Sequence, residues 1–172
     1  MTKSLMISIQ PKYLVNILNG YKTLELRKTV PKDFKGWVYI YCTKGKPYLG
    51  KNHDGNIGLY NIPAFGHYNK SGDLNGKVVA RFWFDEYTKI DNDVLVTIAN
   101  ETEWSSEETD TNELLKNACI SIYDALEYSK GKDLYAWHIK KLEMFDTPLS
   151  LSAFYSDKGS LKRPPQSWQY IY

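Results

Sequence analysis

At 172 residues the chain is long enough to bury the core of one domain, and with 42% hydrophobic and 24% charged residues it has an ordinary soluble globular balance. No apolar run approaches the ~20 residues of a membrane-spanning helix, and two cysteines, Cys42 and Cys119, are too few for a zinc site of the usual four-ligand kind. The net charge of +2 conceals an asymmetry: residues 1–51 hold ten Lys/Arg against Glu25 and Asp33, whereas residues 85–128 hold twelve Asp/Glu against Lys89 and Lys116. A polyanion would therefore meet the N-terminal third.

In chain order, Lys3 to Ile9 predicts a first strand ending at Gln10-Pro11, where proline opens a helix because its missing N–H needs no partner there. Tyr13, Leu14, Ile17 and Leu18 form one helical stripe, and Asn19-Gly20 stops it. A strand over 22–28 follows, in which Leu24 and Leu26 alternate with Thr23, Glu25 and Arg27. That polar trio is either a solvated sheet face or the floor of a site. A loop over 29–36 leads to a strongly β segment, 37–43.

Residues 45–75, rich in Gly, Asn, Lys and Tyr, predict an irregular insertion with a short strand near Ile57–Ile62. Gly76 launches KVVARFWFDEYTKI, read as one strand whose apolar run spans Val78 to Phe84. The acidic middle holds a helical segment over 101–131, with start signals at Asp110/Glu113 and Ser121/Asp124 and a stop at Gly131. Residues 135–144 read as another long strand closing at Asp146-Thr147-Pro148, followed by a helical turn near Leu149–Phe154 and a final strand in the last residues. With no repeat, linker or second core, this reads as a single domain of the α+β class, mainly β. A small closed or nearly closed barrel decorated by helices fits it better than a doubly wound sheet.

Five Trp, 14 Tyr and six Phe make 15% of the chain. They suit a thick β core or a surface that stacks on flat ligands, the core being home to most. Lys22, Glu25 and Arg27 within six residues suit binding of phosphate or polarisation of a carbonyl, with Glu25 as acid or base. The plainer reading pairs Glu25 with Arg27 or Lys22 on a wet face, where ion pairs contribute little. His138 is a candidate base or nucleobase partner beside Trp137, or a hydrogen-bonded barrel residue.

His53 and His67 have no metal spacing, so neither metal nor cofactor is assigned. A G-x-S-x-G elbow and a phosphate loop are both missing, which argues against hydrolases and nucleotidases of those kinds. In Pro164-Pro165-Gln166-Ser167-Trp168 the prolines stiffen the approach to an amide, a hydroxyl and an aromatic plane. Alternatively, Trp168 pins this tail into the core. No basic-apolar leader follows Met1, so the expectation is a cytoplasmic protein with reduced thiols and no membrane partner.

Six blocks in order carry a resemblance: S-I-Q-P-K-Y (8–13), I-L-N-G-Y-K-T-L-E-L-R-K (17–28), W-V-Y-I-Y-C-T-K (37–44), G-K-V-V-A-R-F (76–82), Y-A-W-H-I (135–139) and P-P-Q-S-W (164–168). Together they resemble the ASCH domain of the PUA-like superfold, in its small stand-alone bacterial and phage form. The resemblance implies a β barrel with a helix-bounded cleft, in a superfamily that commonly binds RNA or modified bases. It places Gly20, Lys22, Thr23, Glu25 and Arg27 on the cleft lining, which favours the site-floor reading. Some compact ASCH proteins deacylate an acylated cytidine with a Lys, a Thr and a Glu. The Lys matches Lys22, Glu25 stands where the Thr would be, and Asp85 and Glu86 are the only guesses for the third. Ribonuclease activity is also associated with ASCH proteins.

Three functions follow, in order. The first is binding of RNA or a modified nucleobase or nucleoside by Lys22, Thr23, Glu25, Arg27, Lys28, Lys44, Tyr41, Trp137, Gln166 and Ser167, with Lys32, Lys35 and Lys46 as further positive charge. The second is a hydrolase, either an amidohydrolase on a modified cytidine or a metal-independent ribonuclease, using Lys22, Glu25 and His138. The third is a protein-interaction module acting through the acidic 85–128 region, its partner unknown. A cleft lysine serves function rather than packing, so Lys22→Ala is expected to cost little stability.

Overall fold

Local signals set most of the elements in a computed structural model that describes residues 3–52, 54–61, 74–100 and 106–172, with backbone alone over 106–109. His53 and His67 lie outside the described residues. Strand β1 (Ser4–Ile9) runs into helix α1 (Pro11–Leu18), with Pro11 in the first turn and Leu14 and Ile17 fully buried. Gly20 follows at φ +78°, a conformation that a side chain resists and glycine does not. Strand β2 spans only Leu24–Arg27, and β3 spans Gly36–Cys42.

The 45–75 stretch is not irregular throughout. Strands β4 (Tyr48–Lys51) and β5 (Ile57–Tyr60) pair antiparallel, Tyr48 opposite Tyr60 and Lys51 opposite Ile57. Leu49 is fully buried. Asn75 steadies this hairpin from a distance: its Oδ1 accepts from the Leu49 N–H (2.8 Å) and its amide donates to the Gly45 carbonyl (2.6 Å).

Both long strands read from the sequence divide. The run after Gly76 splits at Asp85-Glu86 into β6 (Val78–Phe84) and β7 (Tyr87–Ile90), which join different sheets. Beyond the helices, the 135–144 run splits into β8 (Leu134–His138) and β9 (Lys140–Leu149), with Lys141 at φ 47°. Each break carries two polar neighbours, Asp85-Glu86 and Lys140-Lys141, which interrupt the alternation without naming the sheet that each half joins.

Between them lie α2 (Asn92–Asn100), α3 (Ser106–Asn117) and α4 (Ile122–Ser129). Helix α2 follows Asp91 and has Asp93 in its first turn, and its Asn92 N–H donates to Asp133 Oδ1 (3.0 Å), 41 residues away. Asp110 lies inside α3 rather than at its start. Ser121 does cap α4, accepting from the Asp124 N–H (3.1 Å) and donating to Asp124 Oδ2 (2.7 Å). A 3-10 turn at Leu151–Ala153 leads to the short strands β10 (Tyr155–Ser156) and β11 (Gly159–Ser160), then to β12 (Trp168–Ile171).

These elements form two compact units. The first, Met1–Gly20, Gly36–Trp83 and Lys140–Tyr172, holds a sheet ordered β12-β1-β3-β6-β9, with β1 and β3 parallel. One of its apolar clusters joins Met6, Tyr41, Val78, Phe154, Leu161 and Ile171. The second, Tyr21–Lys35 and Phe84–Ile139, holds the antiparallel sheet β2-β8-β7 with α2, α3 and α4. It has its own core of Leu24, Leu26, Ile90, Leu95, Leu115 and Leu134, which the sequence reading lacks. The class is α+β and mainly sheet, as expected. Among the described residues, however, no sheet closes into a barrel, because the end strands of each remain unpaired with one another. Among the same residues no helix is long and apolar enough to cross a membrane.

Ser121→Ala removes the α4 cap and is expected to lower unfolding free energy by ~1 kcal/mol, measured by urea denaturation at unchanged slope.

Candidate functional site

Three charged side chains of the second unit sit where charge is costly. Lys22, Glu25 and Arg27 are 6%, 7% and 6% exposed. Glu25 lies between the two cations: its Oε2 is 3.4 Å from Lys22 Nζ and its Oε1 is 3.1 Å from an Arg27 terminal nitrogen. Both carboxylate oxygens are therefore engaged, and the cluster carries one net positive charge.

The geometry follows from where β2 begins. Alternation from residue 22 would put Lys22 on the leucine side, but the strand starts only at Leu24, so Lys22 is free to turn toward Glu25. The preceding segment docks on the C-terminal end of α3. Lys22 Nζ donates to the Ala118 carbonyl (2.7 Å) and the Thr23 N–H donates to the Asn117 carbonyl (2.9 Å). An ammonium there also meets the negative end of the helix dipole. Lys22 thus anchors structure as well as neighbouring Glu25. Thr23 is exposed, outside the strand and apart from the buried cluster, which corrects its placement in the strand's polar trio.

Register sorts the remaining candidates. Glu25 is paired with Trp137 and Trp137 with Tyr87, so these three share one face with Arg27, Tyr135 and Lys89. His138 is paired with Leu24 and therefore lies on the opposite face, where its Nε2 is 2.9 Å from Thr88 Oγ1. The structure thus separates His138 from Glu25 by the thickness of the sheet. Trp137 is fully enclosed against Phe84, ring centroids 4.8 Å apart, and cannot stack on a ligand in this arrangement. Its indole Nε1 is buried without a hydrogen-bond partner among the described residues. Lys28 lies over the Tyr128 ring (5.0 Å).

Tyr128, absent from the sequence candidates, joins this environment from α4, and no local signal marks it. Although 38% of the residue is exposed, desolvation raises its phenol above the ordinary value of 10; Arg27 opposes that shift and Glu25 adds to it. Asp85 is half-buried and Glu86 exposed in the link before β7. A cavity of about 290 Å³ in the same unit is lined by Lys32, Phe34, Lys35, Phe84, Asp85 and Tyr87 among others, with Phe34 stacked on Phe84 at 6.2 Å. The other named candidates belong to the first unit: Tyr41 buried, with its phenol raised first by desolvation and then by Cys42, and Lys44, Gln166 and Ser167 exposed.

No family model matches the chain, and no curated protein matches it. Solved structures do. The crystal structure of an ASCH protein from Zymomonas mobilis is 15% identical at a TM-score of 0.59, covering 98% of this chain and 87% of that one. Two point mutants of the same protein agree. One is 16% identical at 0.59, covering 99% and 91%; the other is 15% identical at 0.58, covering 98% and 88%. The chain has the ASCH fold. At such identity the likeness fixes backbone architecture and leaves chemistry to be argued from this chain's own residues.

Removing one member of a buried ion cluster strands the others. Glu25→Ala is expected to cost ~3–5 kcal/mol. Lys22→Ala, contrary to the expectation of a near-neutral change, should cost ~1–3 kcal/mol because the Ala118 carbonyl loses its donor; chemical denaturation of both variants measures this. Tyr128 adds a pH dependence. Its folded value lies above its unfolded one, so its contribution is fully present below pH 10 and is lost as pH rises through the folded value. Stability of Tyr128→Phe, followed across the alkaline range, should fall less steeply than that of wild type.

Proposed function

We propose that this chain binds RNA or a modified nucleobase, the base being read by Glu25, Arg27 and Lys22. The observation that carries this reading is a buried ion cluster with net positive charge on the same sheet row as an unsatisfied indole N–H. Buried ion pairs gain little over an apolar filling, so a use beyond stability is the better account of them. A carboxylate flanked by two cationic donors matches a base edge that presents an amine beside a carbonyl. Glu25 accepts from the amine while Arg27 or Lys22 donates to the oxygen.

The lysine-rimmed cavity with Phe34 and Tyr87, which none of Lys22, Glu25 and Arg27 lines, offers aromatic faces to a neighbouring base, whereas Trp137 is enclosed. Stacking there contributes ~1–3 kcal/mol per base. Exposed Thr23 stands beside the cluster in sequence as a first polar contact. The superfamily resemblance supports the same ligand class. The hydrolytic alternative retains Lys22 and Glu25 but loses His138 as its proton carrier, since that ring lies on the other face.

Calorimetric titration with cytidine and an acylated cytidine tests the reading. Binding that changes little with salt and weakens at least ~10-fold in a correctly folded Arg27→Gln variant is expected, about the value of one good polar pair. Absence of binding to nucleosides and to RNA at low salt would remove the proposal, and chromatographic release of the acyl group would replace it with the hydrolase.

A further inference from the structure

The first unit carries a basic groove that none of this uses. A cavity of about 840 Å³ is lined by Thr43, Lys44, Ser150, Ser152, Lys162 and Arg163 over a floor of Tyr41, Leu151 and Leu161, and no carboxylate lines it. A second cavity of about 230 Å³ shares Thr43 and Lys44 with it and adds Lys12 and Lys46, again without an acid. The two cavities adjoin at Thr43 and Lys44, and five cations line them in all.

None of the five is held by a carboxylate in an ion pair among the described residues. Where other exposed cations meet carboxylates they pair: Arg81 with Glu143 (2.7 Å), and Lys89 with Asp91 and Asp133. Lys44, Lys46, Lys162 and Arg163 have no such partner among the described residues, and Lys12 lies only over the Tyr13 ring. Repulsion among them is left uncompensated by the protein itself. One wall is shaped to keep Lys44 in place. Gly76, at φ +78°, has the Lys44 stem so close that an added Cβ would lie 3.2 Å from its Cγ and Cε. The opposite wall supplies hydroxyls, Ser150 and Ser152 sharing a hydrogen bond (2.8 Å) and Ser160 donating to the Ser152 carbonyl (2.8 Å).

We infer that this track holds the phosphodiester backbone of a single-stranded RNA. The cations are spread along two joined cavities instead of converging on one point, which suits successive phosphates rather than a single one. Hydroxyls add donors to phosphate oxygens, and the apolar floor faces sugar. The ligand class rests on the nucleic-acid reading above, but none of these residues belongs to the Lys22, Glu25 and Arg27 cluster that reads the base, and Lys12, Lys162 and Arg163 are new to it.

The test is fluorescence anisotropy of labelled oligouridylate across a potassium chloride series, comparing wild type with the triple variant Lys44→Ala, Lys162→Ala, Arg163→Ala. All three side chains are exposed, so the fold should survive. At ~0.7 per neutralised phosphate, losing three contacts should flatten the logarithmic salt slope by about 2 and weaken low-salt binding on the order of 100-fold. Nucleoside binding at the Glu25 cluster should stay unchanged. Equal RNA affinity and slope in the triple variant would overturn the track while leaving the base-reading proposal intact. Salt-sensitive RNA binding lost in the variant, with no nucleoside bound by wild type, would uphold the track and remove base reading. No RNA binding by wild type overturns the track, as does competition by inorganic phosphate as effective as RNA at equal phosphate.

Discussion

Glu25 is the constraint on which the second unit turns. A carboxylate at that burial must be held by positive partners, and the two it has come from opposite sides of the same short strand. Arg27 shares its face of β2, whereas Lys22 reaches it from the turn before the strand. That turn in turn needs α3, whose terminal carbonyls receive Lys22 and Thr23. One acid thereby fixes where β2 starts, how it meets the helices, and which cations line the interior. The Ile139 N–H closes the arrangement by donating to the Thr23 carbonyl (3.0 Å).

Two kinds of positive charge coexist in this chain and have different physics. Lys22 and Arg27 are buried, paired and fixed, so their interactions are short-ranged and little screened by salt. Lys44, Lys162 and Arg163 are exposed and unpaired by carboxylates among the described residues, so their field is broad and salt-sensitive. The first kind suits discrimination between chemical edges; the second suits attraction of a chain of phosphates irrespective of sequence. Lys22, Arg27 and Lys44 belong to the N-terminal excess of Lys and Arg evident in the sequence, whereas Lys162 and Arg163 come from the other end of the chain.

Elements governed by neighbours in the chain were legible. Pro11 opening α1, Gly20 closing it and Ser121 capping α4 each act within a turn of their own position. Elements governed by distant partners were not. Helix α2 takes its cap from Asp133, the β4–β5 hairpin is steadied by Asn75, and the divisions before β7 and β9 depend on which strand each half finds. The site divides in the same way. Lys22, Glu25 and Arg27 were readable from one short segment, while Tyr128 and the enclosure of Trp137 depend on contacts from other elements. The opposite faces of Glu25 and His138 follow from register, which alternation within one strand does not reveal.

The pairing of β2 with β8 also shapes how the chain acquires its structure. Leu24 lies opposite His138, a separation of more than a hundred residues that includes three helices. Closing so long a loop is entropically unfavourable until the intervening helices shorten it, which places this sheet among the slower pairings to form. On a ribosome β2 emerges well before its partner and waits unpaired. Lys22, Glu25 and Arg27 keep that waiting segment charged and hydrated, so the residues that become the buried cluster first protect an exposed strand edge from association with other chains.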